Sequence, residues 1–108
     1  MRMTLKAIKD NRGATLDNHG RAVTYKTGFQ VSRKDLFVCR VNALRMRDIE
    51  AILADMPSTS NLGIWIDGGR AYVDISERIA NRAHALKIGR KRKQLSVWVW
   101  AKNEAVAC

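Results

Sequence analysis

Leu62-Gly63-Ile64-Trp65-Ile66-Asp67, then Gly68-Gly69, then Arg70-Ala71-Tyr72-Val73-Asp74-Ile75 is the stretch on which the fold turns. Two runs of alternating character flank a Gly-Gly pair. Alternation with period two marks half-buried strands, and paired glycines tolerate the positive φ angles of a two-residue hairpin turn. The turn sets the register. Asp67 then opposes Arg70, Ile66 opposes Ala71, Trp65 opposes Tyr72 and Ile64 opposes Val73. One face of the ribbon carries Leu62, Ile64, Ile66, Ala71, Val73 and Ile75. The other carries Gly63, Trp65, Asp67, Arg70, Tyr72 and Asp74.

Outward from the hairpin, Met46, Ile49, Ile52, Leu53 and Met56 follow helical spacing within 45–56, and Pro57 ends that helix. On the other side, Ser76 or Asn81 caps a second helix ending near Lys93, with Ile79, Ala83 and Leu86 on one face. Leu95 to Trp100 reads as a strand, with Leu95, Val97 and Val99 on one side and Ser96, Trp98 and Trp100 on the other. Leu36 to Val41 is an apolar run broken only by Arg40 and reads as a buried strand. From Leu36 the order is β-α-β-β-α-β. The expected class is therefore α+β: an antiparallel sheet with two helices on one face, a ferredoxin-like core over 36–101.

The rest of the chain attaches to that core. Met3 to Ile8 and Thr27 to Val31 read as strands. Asp10-Asn11-Arg12-Gly13 and Asp17-Asn18-His19-Gly20 place Asp first and Gly fourth, as type I turns prefer. Residues 1–35 are thus expected to be N-terminal β-hairpin strands and turns, and 102–108 a turn and short strand. The 108 residues suit a single domain, 1–108.

Twenty Lys and Arg against ten Asp and Glu give a formal net charge of +10, with a pI near 10.3. The signs are segregated. Residues 1–47 hold eleven basic and three acidic side chains, residues 48–77 one and six, and residues 78–108 eight and one. Such a field favours polyanionic partners: nucleic acid, a nucleoprotein, an anionic membrane surface or an acidic protein face. No apolar run is long enough to span a membrane, and no apolar segment follows the N-terminal Met1-Arg2-Met3 to make a leader. With only Cys39 and Cys108, a reducing cytoplasmic setting is expected.

The candidate surface is the ribbon face away from the helices. It carries Trp65, Tyr72, Trp98 and Trp100, with Arg70 and Lys102 at strand ends. Aromatics edged by cations can stack exposed bases and hold phosphates. The basic residues Arg82, Arg90, Lys91, Arg92 and Lys93 of the second helix are further candidate contacts. Residues 1–35 or a second copy of the chain could equally cover the rings.

Two resemblances attach to these residues. Leu36-Phe37-Val38-Cys39-Arg40-Val41 and Gly69-Arg70-Ala71-Tyr72-Val73-Asp74-Ile75 resemble the first-strand and third-strand motifs of the RNA recognition motif, over 36–101. Tyr72 stands where a stacking aromatic would sit. Arg70 replaces a second aromatic, and a tight hairpin replaces that family's long loop. Thr27-Gly28-Phe29, Gly63 to Asp67, Tyr72 to Ser76, Ala85 and Gln94 to Trp98 together resemble small uncharacterised proteins of actinobacterial phages and mobile elements. That likeness implies a genomic neighbourhood in which small proteins inhibit host defences or regulate the element's DNA.

Residues for a reaction are missing. His19 and His84 have no partners at ligand spacing, so no metal or other cofactor is expected. Asp17 and His19 are explained by their turn, and Gly68-Gly69 lacks the Lys-Ser/Thr and helix of a phosphate loop. The expectation is a small basic non-catalytic protein that binds nucleic acid or a nucleoprotein. The alternative is an anti-defence, anti-CRISPR-type inhibitor that docks on a host protein and dimerises through its aromatic face.

Overall fold

In the computed structural model, which describes residues 2–108, the chain is α+β. Its elements in order are α1 (Leu5–Asp10), β1 (Gly13–Leu16), β2 (Phe29–Arg40), α2 (Met46–Asp55), β3 (Asn61–Asp67), β4 (Arg70–Ile79), α3 (Arg82–Lys91), β5 (Ser96–Val99) and β6 (Glu104–Ala107). The strands form one six-stranded sheet in the order β1-β3-β4-β2-β5-β6, antiparallel throughout. No helix among the described residues is long and apolar enough to cross a membrane.

The β3–β4 hairpin has the register read from its sequence, from Asp67↔Arg70 to Leu62↔Ile75. Gly68 and Gly69 both take positive φ, 56° and 77°, which side-chain-bearing residues resist. The helices lie on the face of Ile64 and Val73. Ile49 and Leu53 of α2 and Ile8 of α1 share a buried cluster with Leu16, Leu62, Ile64, Ala71 and Val73. Ala85 of α3 is buried with Val31 and Val97, and Phe29 and Ile79 pack against them. Phe29 pairs with Ile79, which lies on the same side of β4 as Val73. Asn81 caps α3 by accepting from the His84 N–H, and Arg90 and Lys91 in its last turn offset the helix dipole.

Several expectations give way. Met3 to Ile8 is not a strand. The Thr4 side chain accepts from the Ala7 N–H and starts α1, whose Ile8 is buried in the core. Met3 to Ile8 therefore adds no strand; β1 docks on the edge of β3 and bridges back across the Asp17–Gly20 turn, with Leu16 opposite Ala22 and the Val23 N–H donating to the Thr15 carbonyl. Asp10 to Gly13 is the exit from α1, with Arg12 in the left-handed region at φ 60°. The Asp17–Gly20 turn does form, closed by the Gly20 N–H on the Asp17 carbonyl.

Leu36 to Val41 is neither a separate strand nor buried. It is the end of the twelve-residue β2, and Phe37 and Val38 are exposed. Two register shifts in β2 against β4, at Ser32/Lys34 and Asp35/Phe37, break its alternation. Among the described residues its other edge has no strand partner beyond Gln30, because β5 meets β2 only at Phe29 and Gln30. In α3 the buried positions are Ala85 and Gly89, while Ala83 is exposed. Leu95 precedes β5 and is 91% exposed.

Candidate functional site

The face away from the helices is concave. It forms an open groove of about 850 Å³ that runs across β1, β3, β4, β2 and β5. The ladder pairings order its floor into rows along the strands. Asp67, Arg70 and Arg40 form the first row, Trp65, Tyr72 and Val38 the second, and Gly63, Asp74 and Asp35 the third. Asn61, Ser76 and Ser32 form the fourth, and Arg78, Gln30 and Trp98 the fifth. Successive rows are two residues apart, about 7 Å along a strand.

The second row is open to solvent. Trp65 is 59% exposed, Tyr72 42% and Val38 52%. Arg40 and Arg70 oppose one another in the ladder beside it. Arg12 precedes Gly13, which pairs with Trp65, and accepts the Ile66 N–H at its carbonyl. None of Arg12, Arg40 and Arg70 makes an ion pair within 4 Å among the described residues. Three guanidinium-bearing residues without an ion pair within 4 Å among the described residues thus stand on or next to the strands that carry the two exposed rings, with Asp67 opposite Arg70.

The third row is acidic. Asp35 and Asp74 are direct ladder partners. The Asp74 carboxylate folds over Gly63, where any Cβ would overlap it. Burial raises the Asp74 carboxyl above its ordinary value of 3.8. The Ser32 hydroxyl opposes that shift and the Asp35 charge adds to it. Ser32 also donates to an Asp35 oxygen at 3.4 Å. Of the charged side chains, only Arg12, Asp35 and Asp74 line the groove.

The fourth and fifth rows are closed by a polar network. Gln30 donates to Asn61 at 2.8 Å and to Ser76 at 2.9 Å. The Trp100 indole N–H donates to the Gln30 side-chain carbonyl at 3.0 Å. Tyr25 meets Trp100 edge-on at 5.4 Å between centroids, and Arg78 lies over the other side of Tyr25. Every buried side-chain nitrogen and oxygen among the described residues has a partner.

The expected site is thus split. Trp65, Arg70 and Tyr72 come together on the exposed rows, on the side read from the hairpin. Trp98 lies on the same face, but its row is six residues of β4 away, about 20 Å. Trp100 is 8% exposed and belongs to the buried network, not to an accessible platform. The physical cause is the short pairing of β5, confined to the far end of β2. Lys102 lies in the β5–β6 turn, at the opposite end of the sheet from Arg70.

The α3 cations stand apart from these rows, since α3 packs on the other face of the sheet. Arg82, Arg90, Lys91 and Lys93 are exposed there. Arg92 is engaged internally. It holds Glu77 at 2.7 Å and caps the Ser32 carbonyl at 3.4 Å. Sequence reading missed Arg12, Arg40 and Asp35, which reach the site through strand register alone. Asp17 accepts from the N–H groups of His19 and Arg21 and from the Arg21 side chain. Desolvation works against its charge, but these donors outweigh it and hold the carboxyl below 3.8. No group of three or more His, Cys, Asp or Glu side chains among the described residues could hold a metal. Compared with known proteins, the chain matches no family model, no curated protein and no solved structure.

Proposed function

We propose that this chain is a non-catalytic binding protein for single-stranded nucleic acid, free or in a nucleoprotein. Bases stack on Trp65 and Tyr72, and Arg12, Arg40 and Arg70 hold the phosphates. The observation that carries the reading is the pairing of two rings, 59% and 42% exposed, directly across the ladder and beside guanidinium groups free of ion pairs. Exposed aromatic and apolar side chains grouped on one face, here Trp65, Tyr72 and Val38, mark an interaction site. A strand of nucleic acid supplies a π-face and a negative charge at the same spacing. In this reading strands β3-β4-β2-β5 with α2 and α3 serve as a ferredoxin-like scaffold, and the setting is the cytoplasm of a cell carrying a phage or mobile element.

The test is a fluorescence-anisotropy titration with short single-stranded DNA and RNA over a range of salt. Three arginines on phosphates give a log–log salt slope of roughly −2 for a single strand. Removal of a stacking ring costs about 1–3 kcal/mol per base, so Trp65→Ala weakens binding about tenfold or more. Absence of binding, or full affinity in Trp65→Ala, rules the reading out.

The second reading is an anti-defence inhibitor that acts by protein contact, alone or as a dimer. It draws on Phe37 and Val38, exposed on β2 where that strand has no partner beyond Gln30. Nuclease-insensitive binding to a purified acidic protein partner, with no affinity for oligonucleotides, would favour it.

A further inference from the structure

The groove has one chemical asymmetry across its aromatic row. Arg40 and Arg70, with the single carboxylate of Asp67 opposite Arg70, lie on one side of Trp65 and Tyr72, and the carboxylates Asp35 and Asp74 lie on the other with no cation in their row. A chain of net charge +10 presents Asp35 and Asp74, but only Arg12 among its cations, to the groove lining. Phosphate is therefore repelled from the third row and drawn to the first. A nucleotide laid with its base on the second row then has one permitted direction: its phosphate toward Arg40 and Arg70, the far edge of its base toward Asp74 and Asp35.

An ionised carboxylate only accepts hydrogen bonds. It pairs with base edges that donate and rejects edges that accept. Guanine alone presents two adjacent donors, N1–H and the N2 amino group, and these match the two oxygens of one carboxylate. Adenine, cytosine and uracil or thymine each offer a single donor flanked by acceptors or carbon. The carboxylate is also held in place. Asp74 lies over Gly63, where no side chain competes for the space, and its cross-strand partner Asp35 is fixed by the Ser32 hydroxyl.

We propose that the third row is a guanine-selecting subsite, in which Asp74, supported by Asp35, accepts from the N1–H and N2 amino group of a base stacked on Trp65 and Tyr72. This deepens the reading of the chain as a single-strand binder and rests on it. Arg12, Asp35, Tyr72 and Asp74 are the titratable groups lining the groove. Along the third row, selectivity is set by the two carboxylates.

The test compares thymidine oligomers carrying isolated guanines with the same oligomers carrying inosine or adenine at those positions. Inosine removes only the N2 amino group, so the protein itself is unaltered in this arm. Guanine oligomers should bind about tenfold tighter than inosine ones, the discrimination of one hydrogen bond to a charged acceptor. Asp74→Asn should abolish most of that difference, with its far-ultraviolet circular dichroism unchanged. Equal affinity for guanine and inosine oligomers overturns the subsite and leaves the single-strand reading standing. So does a guanine preference that survives Asp74→Asn in a folded protein. Failure to bind any oligomer overturns both. Binding of an arginine-rich peptide that depends on Asp74, in place of oligonucleotide, overturns both as well and makes the groove a cation site.

Discussion

Gly63 and Asp74 form the tightest pair on the concave face. They are direct ladder partners, and a Cβ at position 63 would collide with the Asp74 carboxylate. Gly63→Ala therefore forces that carboxylate off the floor or displaces the strand, at a cost of about 1–3 kcal/mol as for other overpacked sites. Urea denaturation reads this directly, and an unchanged midpoint would mean that the carboxylate is free to swing away. Asp74 also ties stability to pH. Its carboxyl is raised in the folded state, chiefly by burial, so ionisation is harder folded than unfolded. The folded state then loses stability as pH rises from the ordinary value of 3.8 through the raised one. Asp74→Asn removes that loss. Its denaturation midpoint should exceed that of the wild type at neutral pH, and the gap should narrow as pH falls below 3.8. A gap that widens toward acid would mean that the charged form of Asp74 is stabilising. Asp17 has the opposite sign: its lowered carboxyl contributes stability above 3.8 that is lost as pH falls through the folded-state value.

At the scale of elements, β2 decides what the sheet exposes. Its distal half pairs with β4 on one side and has no strand on the other. An open edge invites pairing with another chain, and proteins blunt such edges with charges and bulges. Here Arg33, Lys34 and Arg40 supply the charges, and the two register shifts supply the irregularity. Lys34 is exposed and makes no ion pair within 4 Å among the described residues. Lys34→Val should therefore increase self-association with concentration in sedimentation velocity, and concentration-independent sedimentation would show that the bulges suffice without the charge. The same strand marks where sequence reading stops. The β3–β4 hairpin was legible because Gly68-Gly69 fixes its register, which already put Trp65 beside Tyr72 and Gly63 beside Asp74. The α2 stripe ended by Pro57 was legible for the same local reason. Nothing local fixes the register of β2. Its bulges shift the phase twice, so Asp35 opposite Asp74 and Arg40 opposite Arg70 could not be counted out from either end. Short β5 likewise hid the separation of Trp98 from Trp65, because alternation reports a face and not a distance along it. The N-terminal helix escaped because Met3, Leu5 and Ala7 alternate with Thr4 and Lys6 as in a strand, until the Thr4 cap is seen.

For the whole molecule, seven of the twenty Lys and Arg define two surfaces on opposite faces of the sheet. Arg82, Arg90, Lys91 and Lys93 lie on the α3 side, and Arg12, Arg40 and Arg70 border the groove. Stacked layers of secondary structure are about 10 Å apart, and the Debye length at 0.1 M salt is also about 10 Å. At that ionic strength a strand lying on Trp65 and Tyr72 barely senses the α3 cations, although they still speed its approach at low salt. The two surfaces can therefore be separated by their salt dependence. Removing two phosphate contacts from a single-stranded complex reduces the log–log slope by about 1.4. Arg40→Gln with Arg70→Gln should produce a change of that size above 0.1 M salt. Arg90→Gln with Lys91→Gln and Lys93→Gln should leave the slope unchanged and lower only the association rate at low salt. The reverse pattern, with the slope carried by the α3 substitutions, would put the strand on the helical face. The exposed rings of the groove would then need another occupant.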